Sequence, residues 1–263
     1  MGHDKLRKFA ENETFSCLLQ PSAEEVLSKG YANLTDHPVK GHWVEKMFGG
    51  HEGDIVLELG CGKGEYTLEL ARRNPDKNYI GVDIKGARLW RGAKTATQER
   101  LPNVAFLRTR IEFINAFFGP GEVSEIWLTF SDPQLKASEN KRLSSAMFLE
   151  RYRRFLRPEG IIHLKTDSRF LHEYTRAVAV VNDLPILLET TDLYSSAKAE
   201  LPGELTEVQT FYESMFLEMG LPITYMEFKP WREGPYVNPH DPEDFDSARW
   251  REAEGPRRSF GHQ

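Results

Sequence analysis

The chain has 263 residues, 40 % hydrophobic and 28 % charged, with a formal net charge of −6 and only two cysteines, Cys17 and Cys61. That length and balance suit one large globular domain with appendages and a substantial core. No apolar stretch approaches a membrane span, the start MGHDKLRKFAENE lacks the apolar core of a secretory signal, and the Cys/His spacing fits neither a disulfide framework nor zinc; the expectations are no membrane, no metal and a cytoplasmic location.

Residues 1–50 mix polar and aromatic side chains without a period and read as an N-terminal arm with some short helix. An α/β pattern then runs over 51–230. Strand signals fall at Ile55–Leu59, Tyr79–Asp83, Val104–Leu107, Glu125–Phe130 and Ile161–Lys165. Helical patterns lie between them at 65–73, 87–100, 111–118, 144–156 and 169–182. Such alternation predicts right-handed crossovers and a doubly wound, mostly parallel sheet with helices on both faces. Thr206–Met219 reads as a further helix and Ile223–Phe228 as a last strand. The Pro-, Asp- and Arg-rich residues 231–263 read as a loosely packed C-terminal tail.

In an open sheet of this kind ligands lie beyond the carboxyl ends of the strands, so those positions matter most. The first is IVLELGCGKGEYTLEL (55–70), an apolar run followed by glycines at 60, 62 and 64 and a helix start. Glycines let the main chain turn tightly and approach a ligand. Their alternate spacing departs from the Gly-x-Gly-x-x-Gly of a pyrophosphate-binding turn, and Glu58 would repel a pyrophosphate. A carboxylate there suits a ligand carrying a sulfonium and an amino group; a plain strand-to-helix turn is the other reading. Asp83 ends the next strand, 21 residues after Gly62, where a carboxylate can accept hydrogen bonds from both ribose hydroxyls or cap the turn at Ile84–Gly86. After the following strand comes Arg108–Glu112, with Arg110.

IWLTFSDPQLK (126–136) runs an apolar strand into Ser131-Asp132-Pro133, where proline stops the strand and fixes the turn. Asp132 is thereby held beside the cofactor, with Lys136 four residues on; an Asp-Pro turn can also be purely structural. HLKTDS (163–168) repeats the arrangement with Asp167. Guanine offers two donors on its Watson–Crick edge, which pair with a carboxylate; Asp167 can also be the N-cap of the helix beginning near Ser168 or Arg169, and the two roles need not exclude each other. Thr210-Phe211-Tyr212-Glu213 reads from periodicity as ordinary helix with an exposed Glu. His163 reads as a core or sheet-edge residue, and Cys61 as a small residue fitted into the loop.

Charge is unevenly distributed. Residues 84–157 hold 14 Lys and Arg against 7 Asp and Glu, whereas residues 182–227 hold 9 acidic residues and one basic, Lys198. A protein so divided can present a polyanion-binding face despite its negative net charge.

Taken together, these segments resemble the bacterial tRNA (guanine-N(7)-)-methyltransferase family. LELGCGKGE is similar to the family's cofactor loop, NPDKNYIGVDIK to its next strand, and FSDPQLKASENKRL to its Phe-Pro-Asp-Pro-Trp-His-Lys segment. KTDS and TFYE with FLEMGLPI are similar to its later motifs. The resemblance implies a Rossmann-like, mostly parallel seven-stranded sheet with an antiparallel last strand, and a methyltransferase domain spanning 51–230. It implies S-adenosylmethionine as cofactor and methyl transfer to guanine 46 of the tRNA variable loop, by a monomer or homodimer. Glu58, Gly60, Gly62, Gly64, Asp83 and Arg110 would contact the cofactor, and Asp132 would stand at the junction of cofactor and substrate as the catalytic residue. Lys136, Asp167, Thr210, Tyr212 and Glu213 would contact tRNA or its guanine. Three departures stand out: Arg110 replaces an acidic residue or asparagine, leaving only a main-chain contact to carry over; Gln134-Leu135 replaces Trp-His; and Ser131 replaces proline. A methyltransferase acting on a small molecule or protein, and a non-catalytic subunit binding S-adenosylmethionine or RNA, remain as alternatives. A NAD-dependent oxidoreductase is disfavoured by the glycine spacing and Glu58.

Overall fold

A computed structural model describes residues 2–195 and 202–254. Lys198 and the last nine positions of the tail lie outside the described residues. The chain divides into two compact units, the first comprising residues 1–127 with Arg154–Arg157 and the second the remainder.

The first unit contains α1 (Gly2–Asn12), β1 (Leu18–Leu19), α2 (Ala23–Val26), α3 (Trp43–Met47), β2 (Ile55–Leu59), α4 (Glu65–Arg73), β3 (Asn78–Asp83), α5 (Gly86–Glu99) and β4 (Val104–Arg108). A 3-10 turn at Ile111–Ala116 leads to β5 (Val123–Thr129). The second contains a 3-10 turn at Glu139–Lys141, α6 (Ala146–Tyr152), all but the first two residues of β6 (Leu156–Thr166), α7 (Arg169–Val181), β7 (Ile186–Thr190), α8 (Gly203–Glu207), α9 (Phe211–Glu218), β8 (Thr224–Phe228) and α10 (Ser247–Glu254). The sheet order is β1-β4-β3-β2-β5-β6-β8-β7. The pairs from β1 to β5 are parallel, and β8 runs antiparallel to both β6 and β7. The expected doubly wound sheet with an antiparallel last strand is therefore present, with eight strands instead of seven because two arm residues add β1.

Burial explains the strands. Every residue of β2 and β3 is buried, as expected for parallel strands covered on both faces. Three expectations change in the structure. Residues 111–118 form a tight 3-10 turn, not an α-helix. The single helix expected over Thr206–Met219 is two, because Thr210 takes extended angles (φ −80°, ψ 162°) and caps α9. β7 went unrecognised: an edge strand of mostly half-buried residues lacks a clear apolar alternation.

Both ends are better packed than their composition suggests. In the arm, Trp43 is fully buried, stacks on Phe118 with ring centroids 5.1 Å apart, and donates its indole N–H to the Phe117 carbonyl at 2.9 Å. In the tail, Phe245 meets Phe170 and Tyr174 edge-on at 5.2 and 5.5 Å, and Asn238 accepts hydrogen bonds from the Ala146 amide and the Tyr174 hydroxyl. The described part of the tail is thus closely packed, not loose.

Candidate active site

The first unit holds the glycine loop. Gly60, Gly62 and Gly64 all have left-handed backbone angles (φ 82°, 58° and 72°), open to glycine at little cost. The loop is pinned from within: the Gly60 and Cys61 amides both donate to the Val82 carbonyl, at 2.8 and 3.1 Å. A Cβ at Gly60 or Gly62 would point into open space, whereas one at Gly64 would lie 2.5 Å from the Phe106 ring. The three glycines therefore serve different ends: the first two leave open space beside the backbone, the third lets α4 close on the sheet.

Glu58 is buried near the end of β2, and its Oε2 accepts from the Thr67 amide at 2.9 Å and from the Thr67 hydroxyl. The carboxylate thus sits at the positive end of α4 and ties that helix to its strand. Asp83, also buried, accepts from the Gly62 amide at 3.0 Å through Oδ2 and from the Lys85 amide at 2.7 Å through Oδ1. Its turn-capping role is present, and the same carboxylate holds the loop at Gly62. Arg110 is exposed, paired with Glu112 at 3.3 Å and laid over Phe113. Burial, reinforced by the charges of Glu58 and Asp83, pushes the Cys61 thiol far above its usual pKa, so it is a packing residue and not a nucleophile.

The second unit holds the residues expected to meet the acceptor, Asp132, Lys136, Asp167, Thr210, Tyr212 and Glu213. The Phe130 amide donates to the Lys165 carbonyl at 2.9 Å, so Asp132 and Asp167 each follow two residues beyond one shared strand-end hydrogen bond. Phe130 and Gln134 adopt left-handed angles (φ 50° and 53°), sparsely populated for such residues and concentrated at functional sites. Asp132 is exposed, and its Oδ1 accepts from the Gln134 amide at 2.9 Å, which fixes the side chain across the turn. The turn is anchored by Arg142, which donates to the Pro133 carbonyl at 3.2 Å and lies over Phe170 and Tyr174 at 4.8 and 4.3 Å. Lys136 is exposed. The N-cap of α7 is Ser168, whose hydroxyl accepts from the Leu171 amide at 3.1 Å; the capping alternative for Asp167 is thereby removed.

Thr210 and Glu213 form a reciprocal capping box at the start of α9. Tyr212 is exposed beside Phe211, but Glu213 is fully buried, correcting the expectation of an exposed Glu. Its Oε1 lies 2.7 Å from the equally buried Lys165 Nζ and accepts from the Tyr194 hydroxyl at 2.6 Å. Lys165 also donates to the Leu205 and Val208 carbonyls at 2.7 and 3.1 Å. Burial lowers the Lys165 pKa, with Glu213 opposing that shift. His163 is in the sheet core, its Nδ1 2.8 Å from the Tyr225 hydroxyl. Sequence reasoning missed Lys165, Tyr194 and Arg142; a lysine closing an apolar strand was the one available signal.

Among the described residues, no helix is long and apolar enough to cross a membrane. No group of three or more His, Cys, Asp or Glu side chains among them is arranged to hold a metal ion.

The strand order, with a glycine loop after β2 and a carboxylate ending β3, defines an α/β methyltransferase. A family model described as "Putative methyltransferase" matches residues 52–226. The fold is similar to a solved antibiotic-related methyltransferase (TM-score 0.53, 17 % identity, 74 % of this chain and 94 % of that one). It is also similar to a 16S rRNA (adenine(1408)-N(1))-methyltransferase from Catenulisporales acidiphilia (TM-score 0.50, 16 % identity, 79 % and 97 %). In sequence, the chain is 54 % identical over 229 residues to the tRNA (guanine-N(7)-)-methyltransferase of Christiangramia forsetii, covering 86 % of this chain and 97 % of that protein. It is 48 % identical over 241 residues to the protein of the same name from Bacteroides thetaiotaomicron, covering 91 % and 90 %. The chain belongs to the tRNA (guanine-N(7)-)-methyltransferase family.

Proposed function

We propose that this enzyme transfers a methyl group from S-adenosylmethionine to N7 of guanine 46 in the variable loop of tRNA. The observation that carries the reading is the 54 % identity to a relative of that name over nearly its whole length. The Asp132 turn and Asp167, set two residues beyond the Phe130–Lys165 hydrogen bond, support it. The same reading has the enzyme act in the cytoplasm, as a monomer or homodimer, with no metal ion.

The first unit suits an adenosyl ligand: the open side of Gly60 and Gly62 admits close approach of a ligand to main-chain atoms, and Asp83 offers a carboxylate beside them. When bound, S-adenosylmethionine supplies an electrophilic methyl on a positively charged sulfur. Guanine N7 presents an in-plane lone pair and carries no proton, so no side chain is required as general base. The protein's contribution is orientation, which recovers about 7–11 kcal/mol of barrier for well-placed reactants. As the sulfur–methyl bond breaks to leave a neutral thioether and the C–N bond forms, the positive charge would pass to the guanine ring, where the carboxylate of Asp132, fixed by the Gln134 amide, would stabilise it. Asp167 orients the base through its Watson–Crick donors. Lys136 meets a phosphate and Tyr212 the extruded base, whose unstacking costs a few kcal/mol. Glu213 acts through its capping box, which holds Thr210 and Tyr212 in place.

The test is Asp132→Ala with labelled S-adenosylmethionine and unmodified tRNA, followed by mapping of the modified base. Turnover is expected to fall about 10²–10³-fold, with cofactor affinity held within about tenfold. Near-normal turnover, or label on any base other than guanine 46, overturns the reading.

A further inference from the structure

The basic surplus of residues 84–157 does not form one surface. Arg142 is buried over Phe170 and Tyr174, Arg153 is held by Glu150 and lies over Tyr236, and Arg157 pairs with Asp54 at 2.6 Å. These cations are structural. A second group, in the first unit, gathers where α1 meets the N-terminal half of α5. There Asn12 donates to the Gly86 carbonyl at 3.0 Å and Trp90 donates to Glu11 at 2.7 Å.

Residues 2–12, 85–94 and 108 carry eight cations, Lys5, Arg7, Lys8, Lys85, Arg88, Arg91, Lys94 and Arg108, against two carboxylates, Asp4 and Glu11; the buried Asp83 beside them is held by the Gly62 and Lys85 amides. Both carboxylates are already neutralised. Asp4 pairs with Arg7 and Lys8, and Glu11 with Arg7 and Lys94; Arg7, Lys8 and Lys94 all gather round Trp90 at 4.9–5.2 Å. Lys5, Lys85, Arg88, Arg91 and Arg108 remain, and among the described residues no carboxylate lies within ion-pair distance of any of them. Lys5, Lys85, Arg88 and Arg91 are exposed. Lys5 and Arg108 both lie over Phe9, at 5.9 and 5.0 Å. From Lys85 to Arg91 the charges extend about 9 Å along the axis, given 1.5 Å of rise per residue. This row starts two residues beyond Asp83, at the carboxyl ends of β3 and β4, the ligand side of such a sheet.

We infer that the face formed by Lys5, Lys85, Arg88, Arg91 and Arg108 docks the phosphate backbone of the tRNA substrate. The inference rests on the tRNA reading above and adds a binding surface to it. An unbalanced, exposed cationic row attracts a polyanion, and phosphate contacts contribute sequence-independent affinity through counterion release. This face supplies affinity while the acceptor residues of the second unit supply base choice, the usual division between phosphate and base contacts.

The test compares the wild-type protein with Arg88→Ala/Arg91→Ala and with the size-preserving Arg88→Gln/Arg91→Gln, each measured for tRNA affinity at several salt concentrations. Both pairs should bind tRNA at least about tenfold more weakly at low salt. The slope of log affinity against log salt should become shallower by about one for each phosphate that is no longer neutralised. Cofactor affinity should stay within about twofold and turnover at saturating tRNA within about threefold. As a control, Arg72→Ala, whose guanidinium pairs with Glu69 and Glu99 elsewhere on the unit, should leave the slope unchanged. If the wild type methylates tRNA but both pairs bind with unchanged affinity and slope, the inference falls and the function stands. If both pairs lose affinity and slope while the wild type transfers no methyl to tRNA, the function falls and the docking face stands.

Discussion

In the first unit the glycine loop takes its shape from backbone angles and from the absence of side chains, whereas in the second the residues proposed to meet the acceptor are held by buried charge and by helix caps. Gly60 and Gly62 keep the main chain bare, and Gly64 makes room for Phe106. On the other side, Lys165, Glu213 and Tyr194 form a buried polar cluster whose purpose is to seat the start of α9. The lesson concerns failure. A site made of backbone is damaged by added volume, and a site made of buried charge by removal of a partner.

Four single substitutions press on that contrast. Lys165→Met should be the most damaging, costing about 3–5 kcal/mol because Glu213 is left as a buried charge without its cation. Urea unfolding measures it, and Lys165→Met combined with Glu213→Gln should recover part of the loss. A double variant no more stable than the single would show that shape, not charge, governs the second unit. Gly64→Ala should cost about 2–3 kcal/mol, since it adds a left-handed alanine and a clash 2.5 Å from the Phe106 ring. Gly62→Ala, with the same backbone problem and no clash, should cost only about 1 kcal/mol. Equal melting temperatures for the two would remove the distinction drawn between these glycines. Ser168→Ala should cost about as little as Gly62→Ala, about 1 kcal/mol for removal of a helix cap; a destabilisation above about 3 kcal/mol would mean that Ser168 does more than cap α7.

Legibility in the sequence followed the same division. β2, the glycine loop and α4 are written in 19 consecutive residues, 55–73, and their boundaries agree with the structure to the residue. Asp83 and Asp132 were also visible, because strand ends and Asp-Pro turns are local signals. The Lys165–Glu213 pair joins positions 48 apart, and no periodicity reveals a contact of that range, so Glu213 read as exposed. Arg142 was counted with the surface charge because its ring partners, Phe170 and Tyr174, lie on a helix far along the chain. The tail misled for a related reason: its composition is polar, and a few anchors such as Phe245 and Asn238 suffice to pack it.

Phe106 stands under three glycines at once. A Cβ at Gly64, Gly81 or Gly92 would come within 2.5–2.8 Å of its ring, from the cofactor loop, β3 and α5 respectively. One aromatic side chain thus fills the volume that three positions forgo. The four sites form a heritable unit in which the order of change matters. An alanine at 64 becomes more acceptable once the ring at 106 has shrunk, while at 81 the Cys61 Sγ, 2.9 Å away, and at 92 the Lys63 carbonyl, 2.8 Å away, still stand in the way. Lineages descending from such a chain would be expected to lose the ring first and the glycines afterwards, with Gly81 and Gly92 following Gly64.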